Sequence, residues 1–255
     1  MLELKKGVFM SIQFLQKIID KSRRIVFFGG AGVSTESGIP DFRSQDGLYS
    51  QKWAYPPETI LSRSFFDSNT AEFYRFYREK MIALWAKPNA AHFKLAELEQ
   101  SGKLMAVVTQ NIDGLHQAAG SKIVYELHGS VLRNYCMSCA EFYGVDHVVA
   151  FDPAETGCDG IPKCKKCGGV VKPDVVLYEE GLDEAVVRGA VESISKADTL
   201  IIGGTSLNVY PAASLIHYFR GSHIVLINKS ATTADGQADL VIRESIGEVL
   251  GSIHV

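Results

Sequence analysis

Residues 24–38 read RIVFFGGAGVSTESG, and this stretch decides the fold. The short apolar run from Arg24 to Phe28 stops at two glycines, which is typical of a buried strand entering a tight turn. Glycines at this point let the backbone approach a pyrophosphate group, which the amides of a following helix then bind. The dinucleotide fingerprint is incomplete, because Thr35 stands where a third glycine is usual. A tight turn without a ligand is the alternative.

Outside this stretch the chain alternates apolar strands with amphipathic helices. Helices are predicted at 11–21 with Ser11 as the N-cap, over most of 57–85, at 90–101, near 113, at 183–197, at 212–219 and at the C-terminus. Strands are predicted at 24–28, 104–108, 123–127, 175–177, 199–202, 224–227 and 240–242. This alternation predicts a mostly parallel sheet covered by helices on both faces.

The composition excludes several classes of protein. Of 255 residues, 26 are Lys or Arg and 29 are Asp or Glu, so the net charge of −3 disfavours binding to a nucleic-acid backbone. No apolar run approaches the roughly 18 to 20 residues that span a bilayer. The N-terminal residues lack the apolar stretch of a secretory signal. We therefore expect a cytoplasmic protein with no direct nucleic-acid partner and no membrane contact.

Four of the five cysteines form two C-x-x-C pairs, Cys136 with Cys139 and Cys164 with Cys167. Two such pairs can complete a tetrahedral site of four thiolates, which suits one structural Zn²⁺ and leaves no open coordination position. A redox pair or unrelated buried thiols are the alternatives. The surrounding segment 133–173 is rich in Cys, Gly and Pro, so a metal is expected to stabilise it. The fifth cysteine, Cys158, is expected to be a free thiol.

Polar residues follow two of the predicted strands. Gln110, Asn111 and Asp113 come after the strand at 104–108, and His128 with Gly129 follows the strand at 123–127. Ligands of open α/β sheets bind at the carboxyl ends of strands, so the first three are placed to bind a ribose or an amide. Helix capping by Asn111 or Asp113 is the alternative. His128 is a candidate general base, or else an ordinary surface or core histidine.

These motifs, in this order, resemble the sirtuin family of NAD-dependent protein deacylases, in the form of a bacterial-type single catalytic core. The resemblance runs from about residue 21 to 250. Its blocks are GAGVS at 30–34, GIPDFR at 38–43, TQNIDGLH at 109–116, HG at 128–129, the two cysteine pairs, GTSLNVYPAA at 204–213 and IN at 227–228.

The resemblance implies an α/β fold, a Rossmann-like doubly wound parallel sheet with a smaller zinc-binding domain and a helical insert. The large domain would comprise 11–44, 88–130 and 174–255, the helical part of the small domain 45–87, and its zinc ribbon 131–173. NAD would lie in the cleft between the domains. The residues implied to bind it are Ala31, Thr35, Phe42, Arg43, Gln110, Ile112, Asp113, His128, Gly204, Thr205, Ser206, Asn228 and Ile246.

The family's chemistry implies a lysine deacetylase acting on acetyl-lysine proteins or peptides. The acyl-lysine amide oxygen attacks C1′ of the nicotinamide ribose, nicotinamide leaves, and the acyl group ends on ADP-ribose. Asn111 and Asp113 would supply the polar pocket, and His128 would act as general base on the ribose hydroxyls. The residues implied to bind the peptide are Val175, Val176, Leu177 and Val209. A monomer is expected.

Two departures from the family pattern bear on specificity. Tyr178-Glu179-Glu180 stands where the family commonly has Phe-Gly-Glu. The Tyr-x-x-Arg pair of desuccinylating sirtuins is also absent, because Tyr77 follows Tyr74 by three residues and Arg78 comes one place later. We therefore expect removal of acetyl or another neutral acyl group.

Two other functions stay open at this point. The same pocket could transfer ADP-ribose to a protein. Alternatively, the chain could be a non-catalytic zinc-ribbon binding module, which the basic residues Lys163, Lys165 and Lys166 would favour.

Overall fold

The computed structural model describes residues 2–42, 47, 53–153 and 157–255, and nine strands of this part of the chain form two sheets. They are β1 (Ile25–Gly29), β2 (Leu104–Thr109), β3 (Val124–Glu126), β4 (Gly129–Cys136), β5 (Phe142–Gly144), β6 (Val171–Val175), β7 (Thr199–Gly203), β8 (His223–Ile227) and β9 (Leu240–Ile242). A six-stranded parallel sheet has the order β3-β2-β1-β7-β8-β9. A three-stranded antiparallel sheet has the order β5-β4-β6.

The order of the parallel sheet reverses beside β1. The chain runs from β1 through β2 to β3 on one side, and from β7 through β8 to β9 on the other. Gly29 at the end of β1 therefore lies between Thr109 of β2 and Gly203 of β7. Loops that leave a sheet in opposite directions open a crevice at the carboxyl ends of these strands. This is the doubly wound, Rossmann-like sheet that the sequence predicts.

Both faces of this sheet carry helices. Phe27 belongs to the apolar cluster under the helices Leu2–Lys21, Ala90–Gln100 and Ile246–Gly251, whereas Phe28 belongs to the cluster on the opposite face. That second face is covered by the helix Glu184–Lys196 and the 3₁₀ helix Ala212–Tyr218. Successive residues of a strand point to opposite faces, so a wholly apolar β1 requires both layers.

The antiparallel sheet packs against a group of short helices. They are Pro57–Ile60, Arg63–Ser68, Thr70–Phe76 and the π-helix Tyr77–Met81. Phe66, Phe73, Tyr74 and Tyr77 are buried there beside Val131 and Val175. Two further short helices are Leu115–Ala118 and Val145–Val149. Among the described residues, none of the helices is long and apolar enough to cross a membrane.

The N-terminal helix and the end of the glycine loop differ from the prediction. The helix begins at Leu2, and Ser11 lies inside it with its hydroxyl donating to the Gly7 carbonyl (3.1 Å) instead of capping. The glycine loop continues into two 3₁₀ turns, Ala31–Val33 and Thr35–Ser37, where the glycine pattern implies a following helix.

Further boundaries are corrected as well. The strand predicted at 175–177 is β6, which ends at Val175. The helix predicted near Asp113 begins at Leu115, and the one predicted at 212–219 is a 3₁₀ helix. The region predicted to be mostly helical from 57 to 85 is broken at Ser62, which caps the next helix, and at Asn69.

Candidate functional site

The glycine loop lies directly against the loop that follows β7. The Gly32 amide donates to the Gly204 carbonyl (2.8 Å), and a Cβ at Gly32 would lie 2.8 Å from the Gly204 Cα. Gly204 itself has φ +59 and packs against the backbone of Gly32 and Val33. Only glycine permits this approach of two backbones. It brings Ala31 and Thr205 to the same crevice.

A chain of three polar side chains crosses the crevice. Asn111 Nδ2 donates to Ser34 Oγ (3.0 Å), and Ser34 Oγ donates to Asp113 Oδ2 (2.6 Å). Ser34 and Asn111 are buried, with 1% and 8% of their surface exposed. The other oxygen of Asp113, Oδ1, accepts from the amide of Leu115, the first residue of the next helix (2.9 Å), so this carboxylate links the crevice to the start of that helix.

Ser34 is a crevice residue that the sequence motifs do not single out. It lies inside the quoted glycine block, yet its partners are 77 and 79 residues away in the chain. A short polar residue directly after a glycine turn was the available signal.

Gln110 connects three elements of the crevice. Its amide nitrogen Nε2 donates to Thr205 Oγ1 (3.0 Å), and its backbone amide donates to the Gly29 carbonyl (3.0 Å). Its own carbonyl oxygen lies 3.0 Å from His128 Nδ1. Gln110, directly after the end of β2, therefore joins the end of β1, the loop after β7 and the histidine.

The contact with Gln110 determines which ring nitrogen of His128 carries the proton. A carbonyl oxygen can only accept, so Nδ1 carries the proton of the neutral ring and Nε2 keeps its lone pair. Burial lowers the pKa of His128 below 6.5, and the hydrogen bond to Gln110 opposes that shift only in part. The ring is therefore neutral at pH 7, with Nε2 able to accept a proton.

The segment that carries His128 is clamped between the two sheets. The His128 carbonyl accepts from the Val176 amide (3.0 Å), and Gly129 pairs with Val175. Arg133 of β4 donates to Glu126 of β3 (2.6 Å) and to Asp174 of β6 (2.7 Å). These contacts hold the histidine at the junction of the sheets.

The remaining residues predicted to bind the cofactor occupy several places. Thr35 Oγ1 donates to the Gly32 carbonyl (3.0 Å), and Asn228 Nδ2 donates to the Ser230 carbonyl (2.8 Å) just after β8. Phe42 and Ile112 pack against the aromatic cluster of the short helices. Ser206 is half-buried in the loop after β7, and Arg43 lies outside the described residues. The Ile246 side chain is buried in the core under the parallel sheet.

The four residues predicted to bind the peptide lie on two segments. Val175 ends β6, Val176 and Leu177 continue from it, and Leu177 is buried in the cluster of the short helices. Val209 is half-buried in the loop after β7, which also carries Gly204 and Thr205.

Two more histidines, His92 and His116, are buried near Asp113. The rings of His92 and His116 lie 4.7 Å apart, and burial lowers their pKa values to about 4 and about 3. His92 Nδ1 accepts from the Asn89 amide (3.2 Å), which closes the cap of a helix. Both rings are therefore neutral packing groups at pH 7.

The two C-x-x-C pairs form one cluster of four sulfur atoms. All four Sγ atoms lie within 4.8 Å of one another, and three of the pairs are 3.4–3.6 Å apart. A tetrahedral Zn²⁺ with Zn–S bonds of about 2.3 Å separates its sulfurs by about 3.8 Å, so the cluster fits one zinc ion. The Tyr143 hydroxyl donates to Cys164 Sγ (3.2 Å) and lowers the pKa of that thiol to about 6. Cys158 is separate from the cluster, and its Sγ accepts from the Gly160 amide (3.3 Å).

The doubly wound sheet, its crevice and the four-sulfur cluster define a dinucleotide-binding α/β protein with a zinc module. A family model described as the Sir2 family matches residues 30–211. An NAD-dependent protein deacetylase of Clostridium acetobutylicum is 61% identical over 244 residues, which cover 95% of this chain and 97% of that protein. One from Clostridium perfringens is 62% identical over 245 residues, 95% of this chain and 98% of that protein.

A solved structure of Sir2 with a p53 peptide and NAD⁺ is 41% identical, has a TM-score of 0.81, and matches over 93% of this chain and 94% of that one. The chain belongs to the Sir2 family, the sirtuins, which confirms the resemblance found in the sequence.

Proposed function

We propose that this chain is an NAD-dependent protein lysine deacetylase that moves the acyl group of acyl-lysine to ADP-ribose and releases nicotinamide. The observation that carries this function is the neutral His128, whose Nδ1 is held by the Gln110 carbonyl at the crevice that Ser34, Asn111 and Asp113 also line. The relatives named as NAD-dependent protein deacetylases cover nearly the whole chain and support the same activity.

NAD supplies a ribose carbon that is activated by its nicotinamide leaving group. The residues of this chain bind and orient it. Asn111 and Asp113, held in place by Ser34, present fixed polar groups where charge changes during the reaction. His128 Nε2 accepts the proton of a ribose hydroxyl, because Nδ1 is already committed to Gln110.

We assign the cofactor and substrate contacts to the residues predicted from the sequence. NAD contacts fall to Ala31, Thr35, Phe42, Arg43, Gln110, Ile112, Asp113, His128, Gly204, Thr205, Ser206, Asn228 and Ile246. The acetyl-lysine peptide contacts Val175, Val176, Leu177 and Val209. Because the Ile246 side chain lies in the core, we assign its contact to the backbone.

The acyl preference follows from the burial of two tyrosines and one arginine. The Tyr74 hydroxyl donates to the Val171 carbonyl, and Tyr77 is fully buried. Arg78 donates to the Val148 carbonyl (2.9 Å) and to the Gly160 carbonyl. Because two nitrogens of this half-buried guanidinium bind backbone carbonyls and the Tyr-x-x-Arg pair is absent, we propose that the enzyme removes acetyl or another neutral acyl group.

We also propose that the chain acts as a monomer in the cytoplasm and divides as the sequence predicts. The large domain comprises 11–44, 88–130 and 174–255, and the small one 45–87 and 131–173. Two sheets with separate apolar clusters support this division, and the helix that begins at Leu2 extends the first segment.

The decisive experiment measures nicotinamide release from NAD with an acetyl-lysine peptide. His128→Ala is expected to lower the rate by more than about a hundredfold, because it removes the general base. His217→Ala, at an exposed histidine, is the matched control and should leave the rate unchanged. An unaffected His128→Ala enzyme would refute the role of this residue. Labelling of protein from NAD without acyl-lysine would indicate ADP-ribosyl transfer instead, and a wild type without nicotinamide release would indicate a binding module.

The pH dependence of kcat/KM tests the state of His128 independently. Protonation of Nε2 removes the base, so kcat/KM should fall as the pH drops through the pKa of His128. Burial places that pKa below 6.5, and the acid limb should therefore have its midpoint below pH 6.5. A midpoint above pH 6.5 in the wild type would contradict a desolvated histidine.

A further inference from the structure

Glu179 has a backbone conformation that side chains rarely adopt. Its φ is +77, and it stands in the segment Tyr178-Glu179-Glu180 that departs from the family's Phe-Gly-Glu. The left-handed region disfavours every residue with a Cβ, whereas glycine adopts it freely. Something in the structure must therefore hold this glutamate in place.

The carboxylate of Glu179 provides that hold. Its Oε2 accepts from the Ser64 amide (2.8 Å) and its Oε1 accepts from the Ser64 hydroxyl (2.9 Å). Ser64 is in the first turn of the helix Arg63–Ser68, where a negative charge is favourable. Hydrogen bonds to an ionised acceptor are stronger than neutral ones, so these two offset the backbone strain.

The neighbours of Glu179 bind the start of the same helix, the residue Leu61 before it, and β6. The Tyr178 amide donates to the Leu61 carbonyl (2.9 Å), and the Arg63 amide donates to the Tyr178 carbonyl (3.0 Å). Glu180 pairs with Arg63 (3.1 Å) and with Lys172 (3.1 Å). The segment 178–180 is thus anchored at three successive residues.

We propose that Glu179 is a positioning residue that fixes the turn 178–180 on the helix Arg63–Ser68, so that the adjoining peptide-binding residues 175–177 are held in place before the acetyl-lysine peptide arrives. This rests on the proposed deacetylase function. A preformed edge spares the peptide the cost of ordering the segment, so Glu179 acts on peptide affinity and leaves NAD affinity alone.

Two substitutions separate anchoring from backbone strain. Glu179→Gly removes the carboxylate but accepts φ +77 without strain, so the variant should fold. It is expected to raise the KM for the acetyl-lysine peptide about tenfold, with the KM for NAD changed by less than about twofold. Glu179→Gln keeps an acceptor for the Ser64 amide without the charge, and its peptide KM should be intermediate. Glu58→Gln, at an exposed position on the neighbouring helix, is the control.

Hydrogen exchange measures the anchor without catalysis. In the full chain, amides of residues 176–182 should exchange about tenfold faster in Glu179→Gly than in wild type. Their exchange rates should be unchanged in Glu58→Gln. Unchanged exchange would overturn the anchor. Faster exchange with an unchanged or lower peptide KM would overturn its role in peptide binding. If the wild type releases no nicotinamide, the deacetylase function and the peptide role both fail, while exchange still reports whether Glu179 anchors the segment.

Discussion

Gly129→Ala is expected to destabilise the protein by about 3 kcal/mol and to abolish most of its activity. Gly129 has φ +75, and a Cβ there would overlap the carbonyl oxygen of Asp174 on the paired strand. The clash falls between β4 and β6 at the residue next to His128. The strands must separate to admit a methyl group, and this moves the histidine away from Gln110. Urea unfolding and nicotinamide release measure the two effects.

Gly102→Ala is the matched control for this substitution. Gly102 has φ +78, but a Cβ at this position meets no atom within 4 Å. The stability lost in Gly102→Ala should come from backbone strain alone, about 1 kcal/mol, and the activity should be unchanged. Equal losses for the two variants would show that the close approach at Gly129 is not the cause.

Loss of the zinc site is the second large effect expected. Cys164→Ser should abolish zinc binding, expose the segment 136–167 to proteolysis and lower deacetylation strongly. The apolar cluster around the sulfurs is small, with Cys136, Cys164 and Val171 buried and Tyr143 packed beside them. In such a module the free energy of metal binding supplies the free energy of folding. Because β4 and β6 also hold His128, disorder there reaches the active site.

Metal analysis and limited proteolysis check this expectation. Wild type should hold about one zinc per chain, the number that four thiolates complete. Cys158→Ser serves as the control. Cys158 is separate from the cluster, so this variant should keep its full zinc content. Full zinc content in Cys164→Ser would refute the assignment of the four ligands.

The sequence predicts the parallel sheet well because its central strands are mostly apolar. The run 24–28 differs from β1 by one residue at each end, and the strand at 240–242 has the predicted bounds. β6 was misplaced because it alternates buried and half-buried residues, and the half-buried ones are Lys172 and Asp174. A polar alternation with Pro173 in its centre does not look like a strand until its partner β4 is known.

The site likewise contains residues that local sequence predicts and contacts that depend on residues far apart in the chain. Gln110, Asn111 and Asp113 follow a strand, so their place at the crevice follows from the general geometry of α/β sheets. The bridge that Ser34 makes between Asn111 and Asp113 depends on how closely two distant loops approach. The 3₁₀ turn Ala31–Val33 has the same origin, because the Gly32 amide donates to the Gly204 carbonyl of a distant loop.

The pairing of Gly129 with Val175 has a consequence for the history of the chain. It places the beginning and the end of segment 129–175 side by side, so this segment enters and leaves the parallel sheet at one point. Segments with adjacent ends can be inserted, lengthened or replaced without disturbing their host. The part of the segment between these ends can therefore change in length without changing the register of the six parallel strands.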